Sequence, residues 1–305
     1  MPPDTCYAAF GLSIASAVPL PELPLVGAPA VPDVTIRRGR AETGESGGAA
    51  LWGDRHRAVL TVPDVARYEV REGREIIFQT CDGAEERHVR LFLLGSALGV
   101  LLHQRQLLPL HANAIEVDGE VVAFSGHSGA GKSTLAAWFH DRGRRVLSDD
   151  VCVIGQLPGG KSVAYPGIPR LRLWRDALER SGRNSASFDP TWLNDASYDK
   201  FDVPIVPTDD VLAPRPLAAI YLLRQGDPPA RINRLGGSEA MSALISNTYR
   251  GAFIPRVGDA VAHWKQCHSV AEQVPIFEVI RAFDKDRFED DALLLEDHVE
   301  SQLRQ

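Results

Sequence analysis

The segment Gly126-His-Ser-Gly-Ala-Gly-Lys-Ser133 fits the spacing GxxxxGK[ST]. Glycines at such spacing let main-chain N–H groups turn inward and form a nest for phosphate oxygens. A helix opening directly after the loop points its positive end at the same anion. The candidate nucleotide-binding set is therefore Gly126, His127, Ser128, Gly129, Ala130, Gly131, Lys132, Ser133 and Thr134. Lys132 is placed to reach the β- and γ-phosphates, and the Ser133 hydroxyl to ligate Mg²⁺. A chance glycine turn is the alternative, and an apolar strand before the loop with a helix after it argues against that. The ligand expected is ATP with Mg²⁺. His127 is expected to contribute main chain, with its ring towards solvent.

Such chemistry needs a further metal ligand and a base. Asp149-Asp150 stand about one crossover after the loop, at the junction of two expected strands. Neighbouring residues in an extended chain point opposite ways. A local kink would let one carboxylate face the metal and the other an incoming hydroxyl; the alternative is an ordinary Asp-rich turn. His111 precedes the strand leading to the loop strand, where it could touch the γ-phosphate or manage a proton, or be structural. Arg170 and Arg172 lie two apart, and on a strand they would share one face. They either clamp phosphate oxygens or form salt bridges. His140 suits a helix C-terminal end by the dipole alone, and His263 and His268 show no metal partners.

These residues need elements to hold them. Ala112–Val117 and Glu120–Ser125 read as strands joined by a tight Asp118-Gly119 turn. The loop, a helix over 133–140, a strand over 145–147 and a strand over 151–154 follow, the setting expected of a phosphate-binding loop. Upstream, residues 1 to about 85 read as β-rich, with strands near 33–37, 58–62, 68–70 and 75–78. Glu85–Gln106 reads as one long helix, acidic at its start and basic at its end, apolar on most faces and so expected between sheets. A boundary near Leu108-Pro109 divides a small β-rich N-terminal domain (1–108) from a catalytic domain (109–305). Downstream, helices are expected over 174–181, 238–249 and 290–304, and strands over 217–223 and 275–283. The polar stretch 183–210 reads as a lid or substrate loop. The fold class is α/β.

Composition narrows the functions. The 305 residues carry a net charge of −7, which argues against a nucleic-acid-coating surface. The longest apolar run, Leu91–Leu102, is too short to span a bilayer, and the proline-broken start lacks a basic leader. Four cysteines, Cys6, Cys81, Cys152 and Cys267, make no CxxC pair, so a zinc site or disulfide framework is not expected and a reducing cytoplasm is. No nucleic-acid or membrane partner is expected.

With these features together, the chain resembles the HPr kinase/phosphorylase catalytic domain. The resemblance lies in Leu110-His-Ala-Asn-Ala-Ile-Glu-Val117, Ala123-Phe-Ser-Gly-His-Ser-Gly-Ala-Gly-Lys-Ser-Thr134 and Arg142-Gly-Arg-Arg-Val-Leu-Ser-Asp-Asp-Val-Cys-Val-Ile154. It implies a P-loop kinase fold related to phosphoenolpyruvate carboxykinase, and ATP held by Lys132 and the loop. It also implies Mg²⁺ served by Ser133 and Asp150, Asp149 as the base for an acceptor serine, and His111 beside the transferred phosphate. Arg172 joins the catalytic set as a transition-state clamp. The family's signature loop after the acidic pair is replaced by Tyr165-Pro-Gly-Ile-Pro-Arg-Leu-Arg-Leu-Trp174, so HPr is not the expected acceptor. The chain looks more like the HPr-kinase-related proteins of lasso-peptide gene clusters. That implies a serine-bearing precursor peptide as partner, and a homo-oligomer, as related kinases often form. A kinase for a small hydroxylated metabolite and a non-catalytic ATP-binding regulator are the competing readings.

Overall fold

The computed structural model describes residues 5–42, 50–192, 199–207, 210–284 and 286–304. The chain is mixed α/β and separates into two compact units, each discontinuous in sequence: residues 1–109 with 249–266, and 110–248 with 267–305.

The first unit opens with strands β1 (Thr5–Ala9), β2 (Leu12–Ser16), β3 (Val34–Arg38), β4 (Ala50–Gly53), β5 (Arg57–Val62), β6 (Ala66–Arg71) and β7 (Glu75–Thr80). They form one sheet in the order β1-β2-β3-β7-β6-β5-β4. Pairing is parallel where β3 joins β2 and β7, and antiparallel elsewhere. A helical rod follows: α1 (Glu86–Phe92), a π turn (Leu93–Ala97) and α2 (Leu98–Gln104). It buries Leu93, Leu98 and Leu101 and is tied to β6 where the Tyr68 hydroxyl donates to Val89 O at 2.8 Å.

The second unit begins as β8 (Leu108–Leu110) ends. β9 (Ala112–Val117), β10 (Glu120–Ser125), α3 (Lys132–Asp141), β11 (Arg145–Ser148), β12 (Cys152–Gln156), β13 (Ser162–Tyr165), β14 (Arg170–Trp174), α4 (Arg175–Arg180), the two-residue β15 (Asp189–Pro190), β16 (Lys200–Pro204), β17 (Arg215–Gln225), β18 (Arg231–Leu235) and α5 (Gly237–Ser246) follow. After α6 (Ile254–Val257) and α7 (Ala260–Gln273), the chain ends with β19 (Ile276–Arg281) and α8 (Phe288–Leu303). The main sheet runs β11-β9-β10-β17-β13-β12-β8, with β19 beside β17 and β18 beside β19.

Strand direction decides where the chemistry gathers. β10, β17 and β19 are mutually parallel. β9 is antiparallel to both β10 and β11, so β11 runs with β10. The C-terminal ends of β10, β11, β17 and β19 and the N-terminal end of β9 therefore lie along one edge of the sheet, the edge at which open α/β sheets bind ligands. Beneath it, Phe124, Tyr221 and Phe277 stack across β10, β17 and β19 with centroids 5.5 and 5.2 Å apart, and Phe139 of α3 packs on Phe124 at 5.4 Å. Offset ring packing of this kind fixes helix against sheet, and so fixes the loop that joins β10 to α3.

Three sequence expectations change. Within its unit the rod α1–α2 meets one sheet rather than two. One side meets β6, while Gly95 and Gly99 pass close to Tyr249 and α2 packs on α6. The returning segment 249–266 supplies that cover, so not everything after residue 109 belongs to the second unit. The stretch 183–210 is not all loop: β16 and β15 pair with β14 in a small three-stranded sheet. Residues 193–198 and 208–209 of that expected lid lie outside the described residues.

Candidate active site

The loop Gly126–Ser133 joins β10 to α3, and its backbone explains its glycines. Gly126 has φ +145°, and a Cβ there would stand 2.7 Å from Leu223 O. Gly131, at φ +82°, caps α3 in the left-handed region that side chains disfavour. Lys132 opens α3 and folds back into the loop, donating from Nζ to Gly126 O at 2.7 Å and His127 O at 3.0 Å. Only 6% of it is exposed, and this burial lowers its ammonium to about 8 despite the neighbouring Asp150 and Asp149. Its charge is thus held by two neutral carbonyls at the floor of the nest. His127 is exposed, its ring 6.0 Å from that of Phe283.

The acidic pair follows β11, and its two members differ. Asp149 is buried and accepts from Ser133 Oγ at 3.1 Å, Asp150 N at 2.9 Å and Arg172 N at 2.5 Å. Burial, reinforced by the Asp150 charge, pushes its carboxyl up to about 6. Asp150 takes φ +73°. That left-handed residue is the kink that turns its carboxylate away from Asp149 and into the cleft, where it accepts from Arg172 Nη1 at 2.7 Å. Burial, the largest single influence, would raise Asp150, but the charges of Arg172, Lys200, His111 and Arg170 together outweigh it, and the carboxyl falls to about 2. The sequence assigned the metal to Asp150 and the base role to Asp149. In the structure it is Asp149 that sits against Ser133 and Asp150 that lines the cleft. Ser133 Oγ and the Asp149 carboxylate are hard oxygen donors of the kind Mg²⁺ takes, so the residues present fit that ion.

His111, just before β9, also lines the cleft, and its Nδ1 lies 3.0 Å from Asp150 O. Burial, then the charge of Lys132, lowers its pKa. Arg172 takes the salt-bridge alternative. Its Nε donates to Asp202 Oδ1 at 3.1 Å while Nη1 holds Asp150. Arg170 is 3.8 Å from the same Asp202 oxygen. Burial opposes ionisation of Asp202, and Arg170 and Arg172 overcome it, so its pKa is lowered. The β14–β16 ladder puts Arg172 opposite Asp202, so the arginine joins the acidic pair to the small sheet.

Sequence reasoning missed three residues here. Lys200 and Arg281 line the cleft and Asp202 anchors Arg172. Lys200 and Asp202 lie in the stretch read as unpatterned loop. Arg281 ends a strand that was expected, and a cation at the C-terminal end of a parallel strand was the available signal. The cleft is open to solvent, with a cavity volume of about 250 Å³. Trp174, Arg180 and Phe288 complete its walls. That volume lies just below the roughly 300–1,000 Å³ common for small-ligand sites.

No helix among the described residues is long and apolar enough to cross a membrane. No protein-family model matches the chain, and no curated protein does. Among solved structures, the chain is similar to the HPr(Ser) kinase/phosphatase from Coxiella burnetii. The identity is 13% and the TM-score 0.33, over 63% of this chain and 88% of that one.

Proposed function

We propose that this chain is an ATP- and Mg²⁺-dependent phosphotransferase of the HPr kinase-like kind that phosphorylates a serine hydroxyl of a peptide. The observation that carries it is the meeting of Ser133 Oγ with the buried Asp149 at 3.1 Å, beside a loop whose lysine waits on two carbonyls. A pure nucleotide binder has no need of a second, cleft-facing carboxylate. Lys132 and the loop amides hold the triphosphate. Ser133 and Asp149 would hold Mg²⁺, which when bound neutralises charge on the β- and γ-phosphates. Asp150 receives the proton as the serine oxygen bonds to the γ-phosphorus. The bond from that phosphorus to the β–γ bridging oxygen breaks, and ADP departs with the electron pair. His111 orients Asp150 through its main chain and stands beside the transferred group.

The proposed acceptor is a precursor peptide of the lasso type. Its support is the run 165–174, which carries the resemblance and whose last residue, Trp174, forms a wall of the cleft. Incubation with γ-labelled ATP, Mg²⁺ and candidate precursor peptides is expected to give labelled phosphoserine. Label passing only to small hydroxylated compounds, or to nothing, overturns the peptide assignment. Asp150→Asn is expected to lower kcat by about 10²–10⁴-fold with ATP affinity retained. Asp149→Asn is expected to raise the Mg²⁺ concentration needed for half-maximal rate. The opposite pairing of effects would return the base role to Asp149.

A further inference from the structure

Arg281 ends β19 on the edge where the loop lies, yet no role so far uses it. It is 5% exposed, and burial, only partly offset by Asp291, disfavours its charge. Its Nη2 donates to Ala130 O at 3.1 Å, and a Cβ on Gly131 would stand 2.6 Å from that nitrogen. The Nε is buried with no hydrogen-bond partner. Its guanidinium lies 5.5 Å from the ring of Phe283 and 5.6 Å from that of Phe288. A buried guanidinium with five donors, held by one neutral carbonyl and two ring faces, is short of an anion. Asp291, the acid whose charge acts on it, supplies one only in part. Its pKa is raised, chiefly by burial, and its Oδ2 is buried with no hydrogen-bond partner. What Arg281 does face is the cleft, beside the turn Ala130-Gly131 that opens the helix.

We propose that Arg281 is the second cation of the phosphate site, binding the polyphosphate from the side of the loop opposite the acidic pair, and that Asp291 competes with the ligand for its charge. This deepens the kinase reading and rests on it only for the identity of the polyphosphate. It also gives the site the arginine that Arg172, held by Asp150 and Asp202, does not provide. A charge-assisted contact from a planar fork is the strongest the chain can offer an oxyanion here.

The test is equilibrium binding of inorganic tripolyphosphate and of ATP, each with Mg²⁺, to the full chain. Arg281→Gln is expected to weaken both ligands by the same factor, about tenfold or more. Arg281→Lys is expected to restore part of the loss. A loss confined to ATP would make Arg281 a support for a base-binding surface built on Phe283 and Phe288, and would overturn the proposal; so would no loss. Should Arg281→Gln fail to fold, Asp291→Asn decides. Freed of its competitor, Arg281 should bind tripolyphosphate about two- to tenfold more tightly, and unchanged or weaker binding counts against the proposal. Wild-type protein that takes tripolyphosphate but no nucleotide would remove the kinase reading and leave Arg281 in place. Binding of neither would remove both.

Discussion

Lys132 is stored in a state that a ligand must change. It rests on the Gly126 and His127 carbonyls, with burial holding its pKa near 8. A bound triphosphate favours the charged ammonium and so raises that pKa. Near pH 8 the empty site is partly deprotonated, and binding must take up a proton. Near pH 6 the lysine is already charged and contributes none. Calorimetry in buffers of different ionisation enthalpy is expected to show proton uptake on ATP binding at pH 8 that fades towards pH 6 and is absent in Lys132→Ala. Uptake that persisted in that variant would assign the proton elsewhere. Asp149 works in the opposite sense. Its carboxyl, raised to about 6 by burial and Asp150, is protonated below that pH, so Mg²⁺ affinity is expected to fall as pH drops through 6. The loop, the acidic pair and His111 were legible in the sequence because each is a short contiguous pattern. Arg281, Lys200 and Asp202 were not, because strand pairing alone brings them there. Which of Asp149 and Asp150 lines the cleft was hidden too, since it turns on one left-handed φ.

Arg172 shows how an element can be pinned by a site. Its main-chain N–H holds Asp149, and its guanidinium spans Asp150 on one side and Asp202 of β16 on the other. Removing it leaves the half-buried carboxylates of Asp150 and Asp202 without their shared cation. Arg172→Ala is expected to cost about 3 kcal/mol in urea unfolding, at the lower end for a broken buried pair because both acids keep some solvent contact. Arg172→Lys should recover less than half, since one ammonium cannot bridge both carboxylates. A cost within about 0.5 kcal/mol, the scatter of surface changes, would mean that the small sheet stands without it. The sequence offered two roles for the arginines of β14. Only the register opposite β16 chooses between them.

At the scale of the whole chain, the first unit is finished by residues 249–266, which no local pattern announces. Among the sequence expectations, this stretch carried only the end of one helix. Its place beside the rod follows from Gly95 and Gly99, where the absence of side chains admits the Tyr249 ring. His103, buried in α2, donates from Nε2 to Tyr249 O at 2.9 Å, a contact only the return can make. A fragment of residues 1–109 is therefore expected to expose apolar surface and bind a hydrophobic dye. The same fragment carrying 249–266 on a flexible linker is expected to bind less and unfold more cooperatively. Equal dye binding by the two would show the return segment to be dispensable. The arrangement has a consequence for the chain as it leaves the ribosome. The apolar rod emerges early, but its cover waits until the intervening residues 110–248 have been translated, about 7–28 s at ordinary elongation speeds. Through that interval the nascent chain carries an uncovered greasy helix, which makes it a natural client for holding chaperones and sensitive to any pause in synthesis downstream.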